Sequence, residues 1–350
     1  MEYFKRSLEE QLETHLHSPQ ALFILGPRQV GKTTLLKHLM QQVHPDNSLY
    51  YDIEKPQDLE MFTGGFNSIL ARLRMDRKNP KSKTWVFIDE VQYLADLSKT
   101  IKLLVDHHAD EFKLVLTGSS SAMIKRQFSE SLVGRKHEFT LYPLSFAEFC
   151  RFRNEPAIAD LLERAYVHTE DNPLHSMRIL MNALQNEYML FGGYPRVVLQ
   201  DNVLGKAEIL TDLVSSYILK DIRHIFRIEK PDQLNRLIRV LSNSIGKEIN
   251  IQSLSQSVGL HRETLSNYLM VLESSYIIKL IKPFFNNPGK ELRKMPKVYF
   301  IDPGLRNSLL TDFREIGIRN DAGELFENIV FLNLLRKQNA LSQIKYWKSK

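Results

Sequence analysis

The 350 residues hold a single cysteine, Cys150. An internal disulfide is therefore impossible, and a cysteine-built zinc cluster goes with it. No apolar run approaches the roughly 18 residues that a bilayer-crossing helix needs. The opening MEYFKRSLEEQLE mixes charges throughout and lacks the continuous apolar core of a signal peptide, so the expected compartment is the cytoplasm. Internal repeats and low-complexity tracts are also missing. What remains is an ordinary globular composition, 43% apolar and 25% charged, in a chain long enough for two or three domains.

Net charge is scarce as well, at +6. Between Asp221 and Phe300 there are 13 Lys and Arg against 7 Asp and Glu, leaving 34 of each sign elsewhere. The excess sits in one segment, which is where a polyanionic partner would be met. A solvated basic face without a partner is the plainer alternative.

Apolar runs appear at ALFIL (21–25), LYYDI (49–53), WVFID (85–89), KLVLT (113–117) and HEFTL (137–141), with amphipathic stretches between several of them. They are short, rich in β-formers and not clearly alternating, as in strands buried on both faces of a parallel sheet. They predict a doubly wound α/β domain over residues 1–150. From 151 to 228 the strand signal vanishes, and apolar residues at three- and four-residue spacing predict a helical domain. Near Ile249 the pattern becomes a short strand, a helix, a turn at Gly259, a longer helix and a β-rich ending, which predicts a winged helix over 229–302. Residues 303–350 form a last segment, whose GELFENIVFLNLLRKQNALSQIKYWKSK reads as an amphipathic helix followed by a strand.

GPRQVGKT follows the first apolar run and opens a helical one, matching G-x-x-x-x-G-K-[ST]. Gly26 and Gly31 let backbone approach a phosphate chain, and the amides of Gly26, Pro27, Arg28, Gln29, Val30, Gly31, Lys32, Thr33 and Thr34 line a phosphate cradle, proline excepted as a donor. Lys32 supplies a point charge to the β- and γ-phosphates of ATP. Thr33 supplies a hydroxyl for Mg²⁺ at a helix N-terminus. WVFIDEVQ places Asp89 and Glu90 at the end of a buried strand, the edge where open α/β sheets bind ligands. Asp89 can reach the metal, while Glu90 can polarise an attacking water or simply sit as a helix N-terminal acid. In KLVLTGSSSAM, Thr117, Ser119 or Ser120 can orient that water or cap the next helix.

GPRQVGKTT, FIDEVQ, LTGSSS, SLVGR, LYPLSFAEF and FGGYPRVV, in that order, resemble a prokaryotic family of AAA-type ATPases. The later PKVYFIDPGL resembles the DUF4143 region that follows the ATPase module there. The resemblance implies an additional-strand, catalytic-glutamate P-loop fold, with the LTGSS strand between the first and third, and Glu90 as hydrolytic base. An arginine that reads the γ-phosphate is also implied: Arg135 is the first candidate, with Arg28 and Arg126 as rivals. Supplied in trans, it would require a homo-oligomer. The tail resembles the beginning of a nuclease-like module, in which Glu324 or Glu327 matches a helix glutamate, and the expectation is that this module is truncated at Lys350.

SLSQSVGLHRETLSNYLMVLE has the marks of a helix-turn-helix. His261, Arg262, Thr264 and Asn267 fall at the start of its second helix, where base edges are met, and Lys279, Lys282, Lys290, Arg293, Lys294 and Lys297 could address DNA phosphates. Such a module can equally serve as a protein contact or a lid. The expected activity is ATP hydrolysis coupled to a partner. A non-hydrolysing switch and a DNA-binding regulator with nucleotide as effector are the alternatives.

Overall fold

A computed structural model describes residues 3–43, 47–94, 97–119, 132–163, 177–226, 228–284, 295–338 and 342–347. The chain divides into two compact units, Lys5–Leu141 and, with the first four residues, Tyr142–Lys350.

The first unit is built on five parallel strands: β1 Ala21–Leu25, β2 Ser48–Asp52, β3 Thr84–Asp89, β4 Phe112–Gly118 and β5 Lys136–Thr140. Their order is β2-β3-β4-β1-β5, so the LTG strand lies between the first and third, as the resemblance implied. Every residue of β1, β3 and β4 is buried, whereas the edge strands β2 and β5 stay largely half-exposed. That difference explains why ALFIL is uniformly apolar while KHEFT is not. Phe23 and Phe87, fully buried in the sheet, each contribute about 1.5–3 kcal/mol.

Helix α1 (Glu9–Leu16) precedes the sheet, and α2 (Lys32–Val43) leaves the phosphate loop with Leu35, Leu36 and Leu39 on its buried face. Lys113, wholly buried in β4, donates from Nζ to the carbonyls of His15, Ser18 and Gln20 at 3.0, 2.6 and 2.7 Å. It thereby ties the chain between α1 and β1 to the sheet. Burial pushes its ammonium down to about 7.

The second unit is mainly helical. Helices Phe146–Phe152, Pro156–Glu163, Arg178–Phe191, Pro195–Val198 and Val203–Leu213 lead into a π-helical stretch, Val214–Asp221. Pro231–Asn243, Ile251–Val258 and Arg262–Ser274 follow, and a two-stranded antiparallel sheet of β6 (Ile278–Ile281) and β7 (Lys297–Phe300) comes after them. Gly259, in the left-handed conformation, ends the first helix of the expected helix-turn-helix.

Three expectations need correction. The short strand near Ile249 is reduced to isolated bridges, Ile245 with Val298 and Glu248 with Lys297. In the tail, the strand is likewise a single bridge between Pro283 and Tyr346. The helix before it, Ala322–Lys337, is not amphipathic. Leu325, Ile329 and Leu332 are buried, while Phe326, Val330 and Leu334 are exposed.

The phrases FGGYP and IDPGL meet in this unit. Asp302 accepts from the Gly193 amide at 2.7 Å and from the Leu305 amide at 2.8 Å, capping the helix Pro303–Leu310. A Cβ on Gly304 would lie 2.1 Å from the Phe191 carbonyl oxygen, and one on Gly192 would lie 2.1 Å from Asp302 Oδ1. Asn307 Nδ2 donates to the Met189 and Leu190 carbonyls, both at 2.9 Å. These phrases are therefore read as backbone-to-backbone packing.

Candidate functional site

The loop from Gly26 to Thr33 joins β1 to α2 at the C-terminal edge of the sheet. A Cβ on Gly26 would fall 2.1 Å from the Leu141 carbonyl oxygen, so a side chain is excluded by the chain leaving β5. Gly31 differs: its φ is +96°, and the nearest atom to an added Cβ is Arg6 Nη1 at 3.8 Å. The conformation demands glycine there, and no packed neighbour does.

Lys32 is 4% exposed. Its Nζ donates to the Gly26 and Pro27 carbonyls at 3.2 and 2.9 Å and stands 4.0 Å from Glu90 Oε1. Burial pushes the ammonium below the ordinary lysine range, while Glu90 and Asp89 pull it back up. Thr33 Oγ1, at the first turn of α2, donates to Asp89 Oδ2 at 2.6 Å. Two motifs 56 residues apart thus meet at one carboxylate.

Asp89 gathers two more hydroxyls. Tyr50 OH donates to Oδ2 at 3.1 Å, and Thr117 Oγ1 donates to Oδ1. Burial and the Asp89 charge raise the Tyr50 phenol above its ordinary range, so it remains a donor.

Glu90 is directed elsewhere by its backbone. Its φ of 58° is left-handed, a conformation costing a residue with a Cβ on the order of 1 kcal/mol. The Glu90 amide donates to Thr117 Oγ1 at 3.1 Å, which holds the bend. Gln92 Nε2 donates to Glu90 Oε2, and Gln92 Oε1 accepts from the Ser119 amide at 3.1 Å. Glu90 therefore faces Lys32 with one oxygen and Gln92 with the other.

The loop's remaining side chains divide. Pro27 and Val30 are buried, Gln29 and Thr34 are exposed, and Arg28 reaches outward to donate to Tyr93 OH at 2.7 Å. Ser119 is 1% exposed and joins the site through its amide. Arg135 is not brought to the loop. It directly precedes β5, and its carbonyl accepts from Ala21 N at the start of β1, so it sits at the opposite edge of the sheet, about 17 Å of strand away. There its Nε donates to Asp106 at 2.5 Å. Ser120 and Arg126 lie outside the described residues.

Three contributors escaped the sequence reading. Tyr50 and Gln92 lie within quoted phrases but carry no local sign of their roles. Arg6, 5% exposed, donates from Nη1 to the Val30 carbonyl at 2.8 Å across 24 residues of chain. Ahead of α2, Glu9 faces His38 at 3.5 Å.

In the second unit, Arg262 and Asn267 are exposed on the helix Arg262–Ser274 and Thr264 is half-buried. Lys279 stands 3.5 Å from Glu273, and Lys282 is exposed. Lys297 is taken up by Glu327 at 2.9 Å, and Glu327 also accepts from Tyr299 OH at 2.6 Å. Glu324 lies 3.6 Å from Lys247. Lys290, Arg293 and Lys294 are outside the described residues. Among the described residues no helix is long and apolar enough to cross a membrane.

Residues 18–150 match the model of an AAA domain. The parallel sheet, its strand order and the loop agree with that match over residues 18–150. Residues 182–316 match a domain of unknown function, DUF8612, where the resemblance implied DUF4143. An uncharacterised protein of Methanocaldococcus jannaschii is 27% identical over 335 residues, covering 94% of this chain and 70% of its own length. One from Haemophilus influenzae is 28% identical over 327 residues, covering 90% and 74%. Among solved structures, the ADP form of Aeropyrum pernix ORC2 covers 92% of each chain at 12% identity and a TM-score of 0.42. These values are too low for that likeness to carry argument.

Proposed function

We propose that the chain binds ATP with Mg²⁺ at the Gly26–Thr33 loop and hydrolyses it to ADP and phosphate. The observation that carries this reading is the convergence of Thr33 Oγ1 on Asp89 Oδ2 at 2.6 Å, with Lys32 Nζ 4.0 Å from Glu90. Together they form the phosphate side and the water side of one site.

The donor set fits magnesium. Among the described residues no group of three or more His, Cys, Asp or Glu could hold a metal. Mg²⁺ asks for less, since it is held by one or two protein oxygens together with waters and substrate phosphates. Thr33 and Asp89 would hold it, and it would supply charge neutralisation at the β- and γ-phosphate oxygens.

Loop amides and Lys32 hold the triphosphate in line. Glu90 accepts a proton from water as the water oxygen forms its bond to the γ-phosphorus. The bond from that phosphorus to the bridging oxygen breaks, and ADP departs with the electron pair. Gln92 donates to Glu90 Oε2 and so aims the base. Ser119, at the other end of Gln92, relates this geometry to the end of β4.

In this reading residues 1–150 are the ATPase domain, 151–228 a helical domain, 229–302 a winged helix and 303–350 a last segment. Exposed Arg262 and Asn267 favour DNA as the partner of the winged helix. Arg135, at the far edge of the sheet, would serve a γ-phosphate only on a neighbouring copy.

Phosphate release tests the proposal. Wild-type protein should turn over ATP, Lys32→Ala should lose binding, and Glu90→Gln should retain ATP while phosphate release falls at least a hundredfold. Equal release by Glu90→Gln and wild type would leave only a nucleotide-binding switch.

A further inference from the structure

Resting on that reading, we propose that Arg6 is a positioning residue for phosphate binding, which locks the Val30–Gly31 peptide so that the Gly31 amide faces the bound anion. Arg6 stands ahead of α1, outside the loop motif, yet its Nη1 donates to the Val30 carbonyl at 2.8 Å. A trans peptide is planar and carries its carbonyl and its N–H on opposite edges. The Val30–Gly31 peptide is trans. Drawing its oxygen toward Arg6 therefore turns the Gly31 N–H the other way, away from the guanidinium. The loop's carbonyls are thus divided between two cations, with Lys32 taking those of Gly26 and Pro27 and Arg6 that of Val30.

The loop needs a hold at this point. Gln29 at φ 61° and Gly31 at φ 96° are left-handed on either side of Val30. Alternating handedness lets successive amides converge on one anion. That arrangement is easily lost at Gly31, because glycine takes either sign of φ at little cost and the peptide before it can turn over. Packing does not prevent the turn, since the nearest atom to a Cβ added there is Arg6 Nη1 itself, at 3.8 Å. The hydrogen bond to Val30 is what selects one face. A charged donor also polarises the peptide it holds, which strengthens the opposite amide as a donor.

Arg6 is itself anchored. Its amide donates to Glu9 Oε1, and its carbonyl accepts from the Glu9 amide at 3.0 Å. Glu9, also buried, faces His38 on α2, the helix that the loop opens. The guanidinium is therefore held against the loop from a segment fixed to the loop's own helix.

The experiment measures steady-state phosphate release and, separately, affinity for ADP and for the β,γ-imido analogue of ATP, each with Mg²⁺. Arg6→Ala should raise KM for ATP about tenfold and weaken both nucleotides by the same factor, while kcat stays within about twofold. The losses match because the Gly31 amide serves phosphates that ADP and ATP share. Arg6→Lys, which keeps a cation for the carbonyl, should weaken both by about threefold. A residue that only stabilises the fold would lower kcat through the active fraction and leave KM alone, and that result overturns the assignment. Unchanged ADP affinity in Arg6→Ala overturns it as well. Should Arg6→Ala fail to fold, Arg6→Lys decides: a raised KM at wild-type kcat supports the lock, and a wild-type KM removes it. Wild-type protein that binds neither nucleotide sinks the proposed function itself, whereas normal binding with an Arg6-independent KM sinks only this inference.

Discussion

Asp89 in the first unit and Asp302 in the second are 2% and 1% exposed, yet the atoms facing them differ in kind. Asp89 is met by hydroxyls of Thr33, Tyr50 and Thr117, groups that can rotate and exchange one acceptor for another. Asp302 is met by the backbone amides of Gly193 and Leu305, which cannot turn without moving the chain. The glycines repeat the contrast. Gly304 is hemmed in by protein backbone, whereas Gly31 has no atom closer than 3.8 Å to its added Cβ. A carboxylate surrounded by side-chain donors beside an open glycine belongs to a site that exchanges partners. One clamped by amides beside a crowded glycine belongs to a joint.

The strongest way to break this comparison is Gly304→Ala. Its Cβ would overlap a main-chain carbonyl, and a loss on the order of 4 kcal/mol or more is expected. Urea midpoints without nucleotide measure it, and a shift below about 1 kcal/mol would show that the joint yields.

Asp302 offers the next effect, through pH. Burial lifts its carboxyl to about 6 against the opposing amides of Gly193, Leu305 and Gly304. An acid whose folded value is raised contributes stability that is fully present below its unfolded value near 4. That contribution is lost as pH rises through 6. The stability gap between wild type and Asp302→Asn should therefore narrow between pH 4 and pH 7 by roughly 3 kcal/mol at most. A pH-independent gap would mean that the carboxyl titrates normally.

Thr117→Val sharpens the other side with the smallest change. Removing the hydroxyl leaves Asp89 and the Glu90 amide each without one partner. We expect kcat to fall about tenfold, near 1.4 kcal/mol, at unchanged KM. A change in KM alone would place Thr117 in binding.

The sequence is most informative where local pattern and chemistry coincide. All five strands of the first unit lie within about one residue of the expected spans, most plainly β1, β3 and β4, where burial on both faces forces continuous apolar runs. The meeting of Thr33 with Asp89 follows once those strands are parallel and share an edge. Arg135 shows what local proximity conceals. A residue just before a parallel strand belongs to the edge opposite the loop, and this topological rule outweighs its closeness in sequence to the LTG strand. Tyr50 reaches Asp89 only because β2 pairs with β3 in a register that sets Asp52 beside Asp89. No short pattern encodes that register. FGGYP and IDPGL are visible as phrases, but their purpose depends on a close approach between segments over 100 residues apart.

One consequence concerns the stretch ahead of β1. Lys113 grips the carbonyl end of α1, while Arg6, just before its other end, holds Val30 in the loop. The helix is thus a strap drawn from the sheet's far edge to the nucleotide cradle. A fluorophore or affinity handle joined ahead of residue 6 would pull on that strap, so it would report on the cradle and disturb it in the same act.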